Sequence, residues 1–165
     1  MSGGVKMEKQ IMWGALVFLG GWLWFYLFIR QLVFNFATAI PLLSRFRKAN
    51  PDLINANAKR YLVISIIIWI IISGGTAFLV IRFAATYLWV SFLIGGVLGA
   101  LLYINHYGPS TKSNYLAFCG TYYRFIPDDQ LRTDMYNGKI SQMKVRLEEM
   151  GIDKSAVIPV FKRDK

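Results

Sequence analysis

Residues 11–43 and 61–104 form two long apolar blocks, and nothing else in the chain limits its fold as strongly. A helix that lies on a soluble core keeps a polar face for water. These blocks have none to offer, so lipid is their natural solvent. The second block contains two uncharged stretches of 21 and 22 residues, 61–81 and 83–104, separated only by Arg82. At about 1.5 Å per residue, either stretch crosses a hydrocarbon core of about 30 Å. A third span is read at 11–33. The chain is therefore expected to be an all-α integral membrane protein with three transmembrane helices and a small cytoplasmic C-terminal tail.

The second and third spans must then form a tight hairpin. Ser73-Gly74-Gly75-Thr76 is the strongest local turn signal, but a turn there would leave 61–72 too short to cross. The tip is expected at 80–85 instead, which puts Tyr87 and Trp89 at the outer interface, where amphipathic rings are favoured. In the first block, residues 34–43 read as an interfacial extension, with Pro41 as its bend or stop. The expected organisation is a lead (1–10), a first helix with its extension (11–43), a basic loop (44–60), a transmembrane hairpin (61–104) and a tail (105–165). Lys6 and Lys9 precede the first span like the start of a signal peptide, and Ala37-Thr38-Ala39 resembles a cleavage site. The apolar run is too long for a signal-peptide core, so the segment is expected to stay as a signal-anchor.

Charge orients the spans. The formal net charge of +10 sits mainly in 44–60, with five basic residues, and after the last span, with ten. Basic residues flanking membrane spans mark the cytoplasmic side. The N-terminus is thus expected outside and the tail inside, with a bacterial-type plasma membrane as the default location. Arg30, near the end of the first span, can reach the headgroups by bending its stem. No recognised nucleic-acid-binding motif accompanies the charge, so nucleic acid is not expected as a partner.

Little in the chain points to chemistry. The single cysteine, Cys119, excludes an intrachain disulfide and a thiolate metal cluster. His106, the single histidine, cannot alone make a metal site or a catalytic triad. Asp128 and Asp129 follow Pro127 and read as the start of a helix. Glu148 and Glu149 lie at a helix end where the dipole disfavours them, and solvation is the expected compensation. No glycine-rich phosphate loop or hydrolase motif is present. Neither a cofactor nor a metal is expected.

Two features point to assembly. Each span carries a glycine pair, Gly20-Gly21, Gly74-Gly75 and Gly95-Gly96, and Gly99 extends the last one. Small residues let helix backbones approach closely, and packing is the main attraction between helices already solvated by lipid. In the tail, Ile140, Met143, Leu147 and Met150 repeat at helical spacing before a stop at Gly151. A tail of about 60 residues is near the lower limit for building its own core. The tail is therefore expected to dock on the basic loop or on another protein, with a neighbouring subunit or the membrane interface as the acceptor of the stripe. The expected partners are other membrane-protein subunits, copies of the same chain and the lipid bilayer. The functional expectation is a non-enzymatic structural or assembly subunit of a larger membrane complex. A homo-oligomeric channel component is the second reading, its pore lined by Ser65, Ser73, Thr76 and Ser91. A membrane-surface enzyme using His106 or the Asp128–Asp134 region is the third.

Overall fold

The computed structural model describes residues 2–106 and 111–161. All elements among them are helical. Three helices are long and apolar enough to cross a membrane: Glu8–Ala49, Asn57–Phe83 and Thr86–Tyr103. Gly108-Pro109-Ser110, which the sequence reads as part of a polar loop leaving the last span, and the side chain of His106 lie outside the described residues.

The first block is one helical run. Helices α1 (Ser2–Trp24), α2 (Arg30–Phe34) and α3 (Ile40–Ala49) follow one another through two wide turns of π type, Phe25–Ile29 and Asn35–Ala39. In each wide turn a backbone N–H donates five residues back, Arg30 to Phe25 and Ile40 to Asn35. Pro41, expected to bend or end the helix, does not end it. It sits in the first turn of α3, directly after the second wide turn. A missing N–H costs least in a first turn. The run ends at Asn50, whose extended backbone and side chain cap the short turn Pro51–Leu53, accepting from the Asp52 N–H at 2.9 Å.

Helix α4 (Asn57–Phe83) starts four residues before the apolar stretch at 61 and is followed by a two-residue break, Ala84-Ala85, and α5 (Thr86–His106). Beyond it lie α6 (Lys112–Tyr122), α7 (Asp129–Tyr136), α8 (Ile140–Glu149) and the short α9 (Lys154–Val157). The chain divides into two compact units, Met1–Leu32 with Ile67–His106, and Val33–Ile66 with Tyr107–Lys165.

In the first unit the closest helix pairing is α1 with α5. Many of its large apolar side chains point outward, with Ile71 66% and Phe83 79% exposed, while Phe25, Phe92 and Tyr103 are buried. That surface is suited to acyl chains. The second unit is built the other way, around a core that takes Leu42, Phe46, Leu53 and Ile54 from one chain segment and Tyr115, Phe118, Tyr122 and Leu131 from the other. The Phe118 and Tyr122 rings stack at 4.8 Å, and Phe46 packs on Phe118 at 5.5 Å.

This core is not the tail's own: the tail shares it with residues 34–62, which include the basic loop, one of the two acceptors expected for it. It corrects the role given to the tail stripe. Met143 and Leu147 are fully buried in that core and Ile140 packs against it, leaving only Met150 at the surface. Both glycines that end tail helices adopt the left-handed conformation such ends need, Gly138 at φ 65° and Gly151 at φ 71°. At the second, Ile152 N–H reaches back to the Leu147 carbonyl and Gly151 N–H to that of Glu148, both at 2.9 Å. This paired closure satisfies carbonyls that a helix end would leave bare.

Candidate helix-packing interface

The α1–α5 contact is a parallel pairing: positions 14, 18 and 22 of α1, and 25 just beyond it, meet 91, 95, 99 and 103 of α5 in turn. A methyl group placed on Gly14 would lie 3.9 Å from Ser91 Oγ. One on Gly95 would overlap the Phe18 carbonyl oxygen, and one on Gly21 the Phe92 carbonyl oxygen. One turn further on, a methyl on Gly99 would meet Trp22 Cδ1 and Phe25 Cδ1, both at 2.8 Å. Phe25 and Tyr103 continue the register with ring centroids 6.0 Å apart. Parallel packing is the geometry required of first and third spans in a chain that crosses three times.

At Gly21 and Gly95 the obstacle is backbone, which cannot step aside as a side chain can. These two residues permit the approach of the two helices. Gly96 has more room, since its nearest neighbours would be the Trp24 ring at 3.8 Å and the Gly21 carbonyl at 3.9 Å. Trp24 in turn packs on Phe92 with centroids 5.2 Å apart. Much of the aromatic cluster in the first span therefore faces the other helices of its own unit. The pattern Ser91-x-x-x-Gly95-x-x-x-Gly99 carries this contact in the sequence. Only its last two members, the glycines, stand out there as packing residues.

The remaining glycines are placed differently. Nothing lies within 4 Å of a methyl group placed on Gly20, Gly74 or Gly75. On α4, Ser73 is buried and Trp69, Thr76 and Val80 are half-buried, whereas Ile67, Ile71, Gly74, Gly75 and Phe78 are exposed. At 100° per residue these are opposite sides of one helix. The Phe28 and Trp69 rings meet at 5.6 Å on the inward side. The glycine pair of α4 forms a shallow hollow in an apolar outer face.

Of the four hydroxyls considered as pore-lining, Ser73 Oγ is buried with no hydrogen-bond partner among the described residues, and the other three are engaged. Thr76 Oγ1 donates to the Ile72 carbonyl and Ser91 Oγ to that of Tyr87, each at 2.8 Å, while Ser65 Oγ accepts from the Asn35 amide at 3.4 Å.

Asp128, Arg146, Glu148 and Glu149 in the tail are engaged in a helix cap and ion pairs. Asp128 caps α7 by accepting from Leu131 N–H at 2.8 Å. Arg146 grips the same carboxylate with two donors, Nε to Oδ1 at 3.1 Å and Nη2 to Oδ2 at 2.6 Å. This bidentate hydrogen bonding from Arg146 lowers the Asp128 pKa below its ordinary value. Glu148 and Glu149 find basic partners rather than water alone, Lys154 at 2.5 Å and Arg146 at 2.9 Å. Burial pushes the Cys119 thiol up to about 12, so little thiolate exists at neutral pH. Among the described residues, no three His, Cys, Asp or Glu side chains come together as metal ligands.

No protein-family model, curated protein or solved structure matches this chain.

Proposed function

We propose that this protein is a non-enzymatic subunit of a larger membrane assembly, which it joins by packing the outer face of α4 against a transmembrane helix of another protein. The uncovered Gly74-Gly75 hollow carries the reading. The chain's other closely packed glycines, Gly21, Gly95 and Gly99, meet α1 or α5, so they are occupied within the chain. The α4 pair has the same composition and no occupant. A partner helix laid there gains close backbone approach, the contact that lipid tails cannot reproduce as well. In this reading the second and third spans form an antiparallel pair. The N-terminus lies outside, and the basic second unit lies in the cytoplasm beneath the plasma membrane. The tail's apolar stripe serves the core of the second unit, so docking falls to the membrane helices.

Native mass spectrometry after gentle extraction tests this. The expected result is a foreign membrane protein bound to the 18.9 kDa chain, lost in Gly75→Leu while the variant keeps its helical content. Multiples of the chain's own mass would replace this reading with the homo-oligomer. A bare monomer from native membranes would remove the assembly reading altogether.

A further inference from the structure

The second unit holds a cleft of about 390 Å³ lined by Asn55, Asn57, Arg124, Arg132 and the segment 125–127. That is within the range of small-ligand sites, roughly 300–1,000 Å³. Its walls come from two distant chain segments, joined where Asn55 N–H donates to the Phe125 carbonyl at 2.8 Å. The two arginines differ. Arg132 pairs with Asp129 and reaches the Ile126 carbonyl at 3.5 Å. Arg124 makes no ion pair among the described residues. Its guanidinium lies over the Tyr61 ring at 4.5 Å and near the Phe125 ring at 5.4 Å. Stacking holds the guanidinium plane by its face and leaves its edge donors available for a planar or tetrahedral oxyanion.

Depth decides the ligand class. The uncharged run of α4 begins at Tyr61, one helical turn beyond Asn57. Four residues are about 6 Å along the axis. The headgroup layer on each side of a bilayer is about 5–7 Å thick. The cleft thus opens at the level where phosphates of lipids lie, in a unit with 15 basic residues against 8 acidic ones. We infer that the cleft binds the phosphate group of an anionic phospholipid. Arg124 supplies the charge, and the Asn55 and Asn57 side-chain amides supply neutral donors. This inference does not depend on the α4 glycine face.

The test uses the full chain in detergent and native mass spectrometry, with phosphatidylglycerol titrated against phosphatidylcholine of identical acyl chains. The protein should retain phosphatidylglycerol preferentially. Arg124→Gln should lower that preference roughly fivefold, the effect of one basic side chain at a charged bilayer surface. Arg124→Lys should recover only part of it, because an ammonium lacks the planar donor edge. Arg132→Gln, which should give a smaller drop, carries the test if Arg124→Gln fails to fold. Arg82→Gln, at the far end of α4, should leave the preference unchanged. Equal retention of both lipids overturns the inference. So does an unchanged preference in both cleft variants, or an equal loss in Arg82→Gln. Displacement of the lipid by glycerol phosphate at equal concentration overturns it too, because the site would then take a soluble phosphate ester.

Discussion

The two compact units bury different things. In the second unit, large side chains such as Phe46, Tyr115, Phe118 and Leu147 are fully enclosed. In the first, large side chains such as Ile71, Phe78 and Leu102 face outward, and the tightest contact is made by glycines with backbone. The solvent accounts for the contrast. Water drives apolar bulk inward, so cohesion there grows with the area removed from water. Lipid exerts no such drive, and cohesion comes from the closeness of the helices. Adding atoms should therefore damage the first unit, and removing atoms should damage the second.

The largest effect is expected from Gly95→Leu, whose side chain must displace the α1 backbone at Phe18. Loss of the α1–α5 pairing should appear as loss of folded protein after extraction, measured by thermal size-exclusion chromatography. Normal yield and melting would mean that this contact contributes little. In the second unit, Leu147→Ala should cost roughly 2–5 kcal/mol, as for other fully buried leucines. Hydrogen exchange should show faster opening across α6–α8 and unchanged protection in α1 and α5.

A smaller effect belongs to Asp128. Asp128→Ala should cost about 0.5–2 kcal/mol through the lost cap. Asp128→Asn should cost less, since asparagine still accepts from Leu131 N–H. Because the folded pKa of Asp128 is lowered, its contribution is present above the unfolded value of about 3.9. It is lost as pH falls through the depressed folded value. The wild type should therefore lose stability on acidification below about pH 4 more steeply than Asp128→Asn, measured by melting temperature against pH. The smallest effect is Gly96→Ala, expected to be close to neutral because the added methyl meets ordinary contact distances. A loss comparable to that of Gly95→Leu would show that glycine content, rather than backbone contact, governs the first unit.

The membrane class was legible because uncharged runs of 21 and 22 residues suit few settings besides lipid. The break between α4 and α5 fell inside the expected 80–85 window for the same reason, since only length had to be satisfied. Composition could not say which glycines are enclosed. Gly20 and Gly21 are neighbours in sequence, yet only Gly21 lies on the side of α1 that meets α5. The acceptor of the tail was legible only as a choice between the basic loop and another protein. Met143 and Leu147 announce an apolar face, but periodicity does not name its acceptor. Pro41 misled because a wide turn before it, invisible in the sequence, lets the helix pass through.

The most direct test of the account asks what covers the outer face of α4. A photoreactive phenylalanine analogue placed at Ile71 or Phe78 flanks the Gly74-Gly75 hollow, while one at Leu98, exposed on α5, serves as the reference. After irradiation of intact membranes, positions 71 and 78 should form an adduct with the same foreign protein, and position 98 should not. Lipid adducts alone at 71 and 78, or the same protein adduct from all three positions, would contradict a dedicated partner on that face.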